Sequence, residues 1–286
     1  MLENNNKKLS ILITGCSSGI GYHVAKRLQE TGYQIIATAR KTNDVERLTN
    51  EGFQALQLDL DDSNNIQKAF TQTMELTQGK LYGLFNNGAY GQPGAVEDLT
   101  RDVLRAQLET NVLGWHELTN LALKVMRKQN EGRIIYNSSV LGFVPMAYRG
   151  AYNCSKYALE GLVDTLRLEL KGSNIYVSLI QPGPIESLFR KNAFIKFKEN
   201  INSQNSLHKN QYEAMQKRLE KEGPAAPFTL PPEAVYKRVI HALQNKRPQS
   251  RYPVTFPTYL FAVLKRLLPT RILDRILLGA SGGGKR

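Results

Sequence analysis

A glycine-rich stretch near the start of the chain, T-G-C-S-S-G-I-G at residues 14–21, fits two different chemistries. Its G-x-S-x-G part is typical of a nucleophile elbow, in which Ser17 would attack a carbonyl group. Its T-G-x-x-x-G-x-G spacing instead predicts a turn whose backbone amides, with the N-terminus of the next helix, bind a phosphate. Because a glycine-rich turn alone is weakly specific, an ordinary strand-to-helix turn is a third interpretation.

A second group of residues, Ser139, Tyr152 and Lys156, could carry out proton transfer. Residues four apart on a helix lie on the same side, about 5–6 Å apart at Cβ, so Lys156 can act on the Tyr152 hydroxyl. An ammonium together with a cationic ligand ring in a dry cleft can lower the phenol pKa from its usual 10 by roughly three units. Tyr152 would then be a general acid near neutral pH. For an isolated Y-x-x-x-K pattern, a surface tyrosine and lysine is the alternative.

Both groups need a scaffold, and the sequence predicts a parallel sheet with helices on both faces. Short apolar runs rich in β-branched residues alternate with longer runs of helical period. The predicted strands are 9–14, 34–38, 55–58, 81–85, 133–137 and 175–180. The predicted helices are 20–31, 66–76, 103–128, 151–170 and 233–243. The polar segment 187–229 interrupts the alternation, and we interpret it as a mobile substrate lid with a helix at 211–221.

The nucleophile-elbow interpretation lacks partners. An α/β-hydrolase places an acid and a histidine after the serine, and none of the four histidines lies in an obvious strand-end loop. The elbow also normally follows a central strand deep in the fold, whereas this turn follows the first predicted strand. We therefore expect the turn to bind phosphate.

Composition narrows the protein class. The 286 residues are predicted to form one domain, 1–286. The chain contains two cysteines, Cys16 and Cys154. Because no secretory leader is expected, free thiols and a cytoplasmic location are predicted. The sequence contains no apolar run of about 18 residues, so no membrane span is predicted. The net charge is +13, and from Lys246 to the end nine basic residues face one acid, Asp274. Because the excess charge lies in the tail and not in a basic stripe with aromatics, we predict no nucleic-acid partner.

The motifs occur together in the order and spacing of the short-chain dehydrogenase/reductase family, which the chain resembles over at least residues 9–187. They are the glycine-rich turn, Asn86-Asn87, Asn111 in a long helix, Ser138-Ser139 at a strand end, Tyr152-x-x-x-Lys156 and Pro182-Gly183. The resemblance implies an α/β class chain with a doubly wound Rossmann fold, a parallel sheet of six to seven strands and helices on both faces. It also implies that the glycine-rich turn holds a nicotinamide dinucleotide.

The resemblance implies a role for each of four catalytic residues. Tyr152 would protonate the substrate carbonyl oxygen, and Ser139 would hydrogen-bond the same oxygen. Lys156 would hold the nicotinamide ribose and lower the tyrosine pKa, and Asn111 would complete a proton relay through water. Ser139 is chosen over Ser138 because its spacing of thirteen residues to Tyr152 matches the family.

The predicted cofactor is NADP(H). Arg40 lies nineteen residues after Gly21, where an arginine accommodates the 2′-phosphate of NADP, and Ser17 could add a hydroxyl to it. A solvated strand-end charge is the alternative for Arg40, and no metal site is predicted. The predicted cofactor-binding set is Gly15, Ser17, Ser18, Gly19, Ile20, Gly21, Arg40, Asp59, Leu60, Asn87, Gly88, Tyr152, Lys156, Pro182, Gly183, Ile185 and Ser187. Asp59 resembles the family residue that contacts the adenine.

Two positions depart from the family pattern. The usual N-N-A-G has its small residues exchanged at Gly88 and Ala89, so the local backbone is expected to differ. The common threonine after Pro182-Gly183 is replaced by Ser187, which keeps a hydroxyl.

The segment after Ser139 predicts an apolar substrate, since residues 141–146 read L-G-F-V-P-M. The chain resembles the branch with hydroxysteroid and retinol dehydrogenases and bacterial NADPH-dependent aldehyde reductases. The leading hypothesis is an NADPH-dependent reductase of an apolar aldehyde or ketone, such as a retinal-, steroid- or fatty-aldehyde-like compound. The alternatives are a non-catalytic nucleotide sensor or scaffold and the serine hydrolase.

The basic tail, residues 257–286, predicts two short amphipathic helices. The predicted apolar faces are Leu260, Val263, Leu264, Leu267 and Leu268, and then Ile272, Leu273, Ile276 and Leu277. Such stripes usually pack inside a protein, here against the substrate pocket or in a homodimer. The second interpretation is peripheral contact with an anionic membrane.

Overall fold

Seven parallel strands form a single sheet in the computed structural model, which describes residues 8–220, 223 and 226–281. The strands are β1 (Ser10–Ile13), β2 (Gln34–Ala39), β3 (Gln54–Gln57), β4 (Gly83–Asn86), β5 (Gly132–Asn137), β6 (Ile175–Gln181) and β7 (Arg251–Pro253). Their order across the sheet is β3-β2-β1-β4-β5-β6-β7, and every neighbouring pair is parallel. The predicted fold class is confirmed. The sequence pattern missed β7, which has only three residues and ends in proline.

Eleven helices are present in the described part of the chain. They are α1 (Gly19–Glu30), α2 (Thr42–Asn50), α3 (Ser63–Leu76), α4 (Arg101–Leu108), α5 (Gly114–Gln129), α6 (Gly150–Glu169), α7 (Phe189–Asn200), α8 (Lys209–Glu220), α9 (Glu233–Gln244), α10 (Phe256–Leu267) and α11 (Thr270–Ala280). A π-helical turn, Glu109–Leu113, and 3-10 turns at Val96–Asp98 and Val140–Gly142 complete the secondary structure.

Alternate side chains of the central strands enter two different cores, as the pleat of a strand requires. In β1, Leu12 packs in the core that includes Trp115 and is covered by α3, α5 and α6. Its neighbours Ile11 and Ile13 pack in the opposite core with α1, α2 and α9. Burial on both faces explains why these strands are apolar without interruption.

The order of the strands reverses at β1. The chain runs outward from β1 through β2 to β3, and then from β4 through β7 in the other direction. In open parallel sheets a ligand crevice forms beyond the carboxyl ends of the strands at such a reversal. The glycine-rich turn leaves β1 at this point, and Asn86-Asn87 leaves β4 beside it.

The helix predicted over 103–128 is interrupted. The π-helical turn at Glu109–Leu113 separates α4 from α5, and Asn111 lies within it, fully buried. The sequence pattern could not show this, because a π turn adds one residue to a helical turn without ending the apolar period.

The segment predicted as a mobile lid with one helix contains two packed helices. Helices α7 and α8 share a small core with the loop before α4, formed by Ala95, Phe197, Ile201, Tyr212, Met215 and Leu219. The high polarity of the segment hid these few buried positions. The last residue of the predicted helix, 221, lies outside the described residues.

The prediction of two short helices in the tail is confirmed. The residues of the predicted apolar faces, however, are not all buried. Leu273 and Leu277 are buried, whereas Leu260, Val263 and Leu267 are exposed. Residues 282–286 of the predicted tail lie outside the described part. Among the helices that the structure describes, none combines the length and apolar character needed to cross a bilayer.

The packing of α7 and α8 is testable with Phe197→Ala. This side chain is buried in the small core, so its removal costs about 3–5 kcal/mol and loosens both helices. Hydrogen exchange followed by mass spectrometry is expected to show faster exchange in α7 and α8 and unchanged exchange in β1, β4 and β5. Ile195→Ala, on the exposed side of α7, is the control. Unchanged exchange of α7 and α8 in Phe197→Ala would show that they are not held by this core.

Candidate functional site

The glycine-rich turn is shaped by contacts that leave no room for side chains. Gly15 has φ +70°, and a Cβ on it would lie 2.5 Å from the Gly88 Cα. A Cβ on Gly21 would lie 2.2 Å from the Gly15 carbonyl oxygen. Two glycines are thus required for α1 to start tightly against the end of β1. The exchanged Gly88 fits the same crowding, since a Cβ there would be 3.1 Å from the Gly15 nitrogen.

Hydrogen bonds between strand ends hold this turn in place. The Thr14 hydroxyl accepts from the backbone amides of Asn87 and Gly88, both at 2.8 Å. The Asn87 side-chain amide donates to the Thr14 carbonyl at 3.0 Å and accepts from Asn137 Nδ2 at 2.9 Å. The ends of β1, β4 and β5 are therefore tied together. Thr14 and Asn137 were not predicted as site residues, although Thr14 is the first residue of the glycine-rich motif.

The N-terminus of α1 is open toward the crevice. Ser18 caps the helix with extended backbone, and its side chain makes no capping hydrogen bond. The first amides of α1 are thereby left without a side-chain acceptor, which suits an anion such as a phosphate. Ser187 lies against this turn, since a Cβ on Gly19 would be 2.9 Å from the Ser187 Cβ. Arg47 steadies the turn by donating to the Ser17 carbonyl at 2.7 Å.

The segment after β6 brings its predicted residues to the same crevice. The Pro182 carbonyl accepts from the Val140 amide at 2.8 Å, which ties the segment to the turn after Ser139. A Cβ on Gly183 would lie 2.1 Å from Thr255 Oγ1, so this position also requires glycine. Ile185 pairs with Leu230 in a short parallel bridge.

Two predicted residues follow β2 and β3 at the outer side of the crevice. Arg40 is exposed after β2, and its carbonyl accepts from Gln57 Nε2 at 3.0 Å. Asp59 follows β3, and its carboxylate accepts from the Asp61 amide at 3.2 Å. Leu60 is buried beneath the start of α5, where a Cβ on Gly114 would be 2.2 Å from the Leu60 carbonyl oxygen. Arg40 therefore lies exposed at the carboxyl end of β2, where its charge acts on Asp61 and Tyr90.

Tyr152 and Ser139 meet at the end of β5. Ser139 Oγ accepts from the Leu141 amide at 3.1 Å, and the Ser139 side chain lies close enough to the Tyr152 hydroxyl to lower its pKa. Burial raises the pKa of Tyr152, and the bond to Ser139 only partly opposes it. The lowering expected from Lys156 together with a cationic ligand ring stays a prediction. Such a positive charge in the cleft would have to offset the desolvation of the phenolate.

Lys156 lies one helical turn after Tyr152, and its side chain is fully buried. Its Nζ donates to the Asn137 carbonyl at 2.8 Å and lies 5.6 Å from the centre of the Tyr152 ring. Burial lowers the pKa of Lys156 to about 7, while the carboxylate of Glu160 raises it. The ammonium is thus close to losing its proton near neutral pH, a property of proton-transfer sites.

Glu160, on the next turn of α6, organises the back of the site. Its carboxylate accepts from Ser138 Oγ at 2.6 Å, from Gln181 Nε2 at 2.9 Å and from Arg251 Nε at 3.2 Å. Ser138 therefore bonds to Glu160, whereas Ser139 bonds to Tyr152. The sequence analysis missed Glu160, because an acid one helical turn beyond Lys156 is common on exposed helices.

Trp115 is the only tryptophan of the chain and is fully buried beside Lys156. The Lys156 Nζ lies 4.4 Å from the centre of an indole ring, and the indole Nε1 donates to the Gly88 carbonyl at 2.8 Å. A cation over an indole face is attracted by the ring quadrupole. Trp115 thus joins the lysine to the loop after β4. Its role was not predicted, because in sequence it is one more apolar residue of α5.

The Asn111 side chain bonds to the loop after β4 and to α6. Its nitrogen donates to the Tyr90 carbonyl at 2.9 Å and to Ser155 Oγ at 3.1 Å, and its oxygen accepts from the Tyr90 amide at 3.2 Å. Ser155 in turn donates to the Tyr152 carbonyl at 2.8 Å. The Asn111 side chain therefore helps to fix the start of α6, and its part in a proton relay through water stays a prediction.

The wall beside Tyr152 is apolar, as the sequence predicts. Tyr152 packs against a cluster formed by Val140, Leu141, Val144, Phe261, Leu273 and Leu277. Phe189, the first residue of α7, stacks edge-on against the Tyr152 ring with centroids 5.3 Å apart. The lid and the tail therefore both border the tyrosine. No local pattern marked Phe189, since the contact is formed only in the fold.

The geometry gives no support to a serine nucleophile at Ser17. The histidines bond elsewhere: His23 to Glu233, His116 to Asn120, His208 to Tyr148 and Glu97, and His241 to Tyr252. The neighbouring Cys16 is buried, and burial raises the pKa of its thiol to about 12. This stretch therefore contains no activated nucleophile.

The contact between Lys156 and Trp115 predicts a pH-dependent fluorescence signal. Because the chain has one tryptophan, emission excited at the red edge of the absorption band reports on Trp115 alone. We expect the emission to change with pH with a midpoint near the Lys156 pKa of about 7, and Lys156→Met to remove the change. His116→Gln, which removes the titratable neighbour in sequence, should leave it intact. A step that persists in Lys156→Met but disappears in His116→Gln would contradict this assignment.

Comparison with known proteins agrees with this geometry. The sequence model described as short chain dehydrogenase matches residues 9–196. The chain is 43% identical over 270 residues to the uncharacterized oxidoreductase YbbO of Escherichia coli strain K12, covering 94% of each protein. It is 30% identical over 273 residues to 17-beta-hydroxysteroid dehydrogenase type 1 of Homo sapiens, covering 90% of this chain and 80% of that protein.

The fold also matches a solved structure of the same kind. A short-chain dehydrogenase from Streptomyces avermitilis superposes with a TM-score of 0.73 at 25% sequence identity, covering 96% of both chains. The strand order, the crowded glycine turn, the Ser139–Tyr152–Lys156 group and the match over residues 9–196 lead to one conclusion. The chain belongs to the short-chain dehydrogenase family of nicotinamide-dependent oxidoreductases, in a branch that resembles the hydroxysteroid and retinol dehydrogenases.

Proposed function

We propose that this protein is an NADP(H)-dependent reductase that converts an apolar aldehyde or ketone into the alcohol. The observation that carries the proposal is the contact of the Tyr152 hydroxyl with Ser139, beside the buried Lys156 and against an apolar wall. The proposed substrate class comprises retinal-, steroid- and fatty-aldehyde-like carbonyls. The 17-beta-hydroxysteroid dehydrogenase among the relatives supports the steroid-like size of this class.

The residues of the chain bind the substrate carbonyl oxygen and protonate it. Ser139 donates a hydrogen bond to the substrate carbonyl oxygen and orients it toward the Tyr152 hydroxyl. A nicotinamide bound at the turn would supply the hydride for the carbonyl carbon. Tyr152 gives its proton to the oxygen as negative charge develops there, which is general acid catalysis. The products are the alcohol, the oxidised cofactor and a tyrosinate, which takes up a proton from solvent.

Lys156 and Asn111 support this proton transfer in different ways. The Lys156 ammonium stabilises the tyrosinate electrostatically, and its pKa of about 7 permits it to pass a proton onward. The Asn111 side chain is committed to Tyr90 and Ser155, so any relay that passes Asn111 uses its backbone carbonyl in the π-helical turn. The side chain itself is a positioning group for α6.

The cofactor residues fit a dinucleotide with a phosphorylated ribose. The α1 N-terminus, without a side-chain cap, would hold the pyrophosphate, with Ser18, Gly19 and Ile20 providing backbone amides. Arg40, exposed after β2, would pair with the 2′-phosphate, and Ser17 would add its hydroxyl. Asp59 and Leu60 would border the adenine. Asn87 and Gly88 would border the nicotinamide ribose, which Tyr152 and Lys156 would hold. The carboxamide and the phosphates would be bordered by Pro182, Gly183, Ile185 and Ser187.

A nucleotide sensor or scaffold of the same fold is the competing proposal. A sensor needs the phosphate turn but has no use for a proton donor. The desolvated ammonium of Lys156 costs stability without helping nucleotide binding at the turn, and the Tyr152 hydroxyl beside Ser139 is a proton donor that a sensor does not need. These features favour turnover.

We further propose the organisation of the whole protein. Residues 1–286 act as one domain in the cytoplasm, with 187–230 as the substrate lid. A homodimer would form through the outer sides of α5 and α6, where a shallow cavity is lined by Val112, Leu159, Leu162 and Leu166 among others. Exposed leucines such as Leu162 and Leu168 on α6 favour burial of this side by a second copy.

Tyr152→Phe tests the proton donor. Removing the hydroxyl eliminates general acid catalysis, so kcat for the reduction of a medium-chain aldehyde or a ketosteroid should fall by about 100-fold or more. The Kd for NADPH should change little, because the hydroxyl acts on the substrate. Tyr157→Phe, on the exposed side of the same helix, is the matched control and should retain full activity. Turnover of Tyr152→Phe within tenfold of the parent would exclude Tyr152 from this role.

Arg40→Asp tests the choice of cofactor. A carboxylate in place of the guanidinium repels the 2′-phosphate and can accept from a free ribose hydroxyl. A charge-assisted hydrogen bond contributes about 1.5–3 kcal/mol, so the ratio of kcat/KM with NADPH to that with NADH should fall at least tenfold. Lys128→Asp, which makes a similar charge change at the exposed end of α5, should leave the ratio unchanged. An unchanged ratio in Arg40→Asp would identify Arg40 as a solvated charge.

A further inference from the structure

The two helices of the tail each expose an apolar strip. Along α10 it consists of Phe256, Leu260, Val263 and Leu267, spaced by four, three and four residues and therefore on one side of the helix. Their exposed fractions are 56%, 39%, 53% and 73%. On α11 it consists of Ile272 and Ile276, which are 45% and 37% exposed. These six residues are called the outer strip.

The opposite sides of the same helices are already packed. Phe261, Leu273 and Leu277 are buried against the segment after Ser139, in the cluster that also contacts Tyr152. The sequence pattern allowed the tail either to cover the pocket or to meet a membrane. In the structure only Phe261, Leu273 and Leu277 are needed to cover the pocket, so the opposite face of the helices stays available for another contact.

The charges around the outer strip are almost all positive. Arg266, Arg271 and Arg275 are exposed on α10 and α11, and the only acid in the two helices is Asp274. Lys265 is anchored, since its Nζ donates to the Phe143 carbonyl. Exposed apolar side chains flanked by cations are the signature of a helix lying in the interface of an anionic bilayer. A second copy seated on this face would bring like charges together, which opposes self-association here.

We propose that α10 and α11 dock on an anionic lipid surface, with the outer strip inserted among the headgroups and upper acyl chains. The docked helices are also the wall of the pocket beside Tyr152, so a lipid-dissolved carbonyl compound can pass from the bilayer to the site along apolar surface. Docking itself does not depend on the proposed reduction, whereas this delivery of substrate rests on the proposed function.

Vesicle sedimentation with the full chain tests the docking. The probes are vesicles of phosphatidylcholine alone and of phosphatidylcholine mixed with phosphatidylglycerol, at low salt. The wild-type chain should sediment with the anionic vesicles and not with the neutral ones. The double variant Val263→Asp and Leu267→Asp should bind the anionic vesicles at least tenfold more weakly, because it places carboxylates in the apolar strip.

Matched variants separate this effect from a general loss of exposed apolar residues. Val96→Asp with Leu207→Asp changes two residues that are 74% and 92% exposed outside the tail, and binding should persist. Arg271→Glu with Arg275→Glu should weaken binding to anionic vesicles by at least tenfold, since each basic residue near the surface adds to the attraction. Arg101→Glu with Arg105→Glu on α4 is its control and should bind normally.

Reductase activity and association state make the outcomes distinguishable. The outer-strip variant should reduce a short water-soluble aldehyde at the wild-type rate in the absence of vesicles, and its melting temperature should be unchanged. Equal vesicle binding by the wild type and the outer-strip variant, or no binding by the wild type, overturns the proposal. A variant that instead loses dimer in sedimentation analysis assigns the strip to a second copy and also overturns it. Wild-type binding without any reductase activity would leave docking intact and refute the proposed function alone.

Discussion

The site is built around one unfavourable interaction, the burial of the Lys156 ammonium. Burial lowers its pKa to about 7, and three groups keep the charge in place: the Asn137 carbonyl, the Trp115 indole and the carboxylate of Glu160. Each group comes from a different element, namely the end of β5, α5 and α6. A desolvated ammonium needs these three partners, because without them it would lose its proton. The lysine therefore links the end of β5 to α5 and α6.

The glycine-rich side of the crevice depends on a second constraint, the crowding of backbone at the ends of β1 and β4. Gly15, Gly21 and Gly88 approach each other so closely that no Cβ fits at Gly15 or Gly21. Thr14 then uses one hydroxyl to accept from two amides of the neighbouring loop. The Gly88 carbonyl accepts a hydrogen bond from the Trp115 indole, so the glycine-rich turn and the lysine are parts of one connected arrangement.

Features set by local pattern were predictable from the sequence, and features made by tertiary contact were not. The parallel sheet, the placement of the glycine turn and the grouping of Ser139 with Tyr152 follow from apolar periodicity and motif spacing. The π turn at Asn111, the covering of Tyr152 by Phe189 and the role of Glu160 depend on partners distant in sequence. The Tyr152 pKa was expected to fall through the lysine together with a cationic nicotinamide ring, whereas the burial that raises this pKa comes from tertiary contacts that the motif does not show.

The central claim is that a hydride and the proton of Tyr152 add across an apolar carbonyl group. The direct measurement is product analysis after incubation with NADPH that carries deuterium in the transferable position of the nicotinamide ring, using a ketosteroid, retinal and a long-chain aldehyde. We expect an alcohol with one deuterium on the former carbonyl carbon for at least one of these compounds. Absence of labelled alcohol from all three, with a folded protein that binds NADPH, would contradict it.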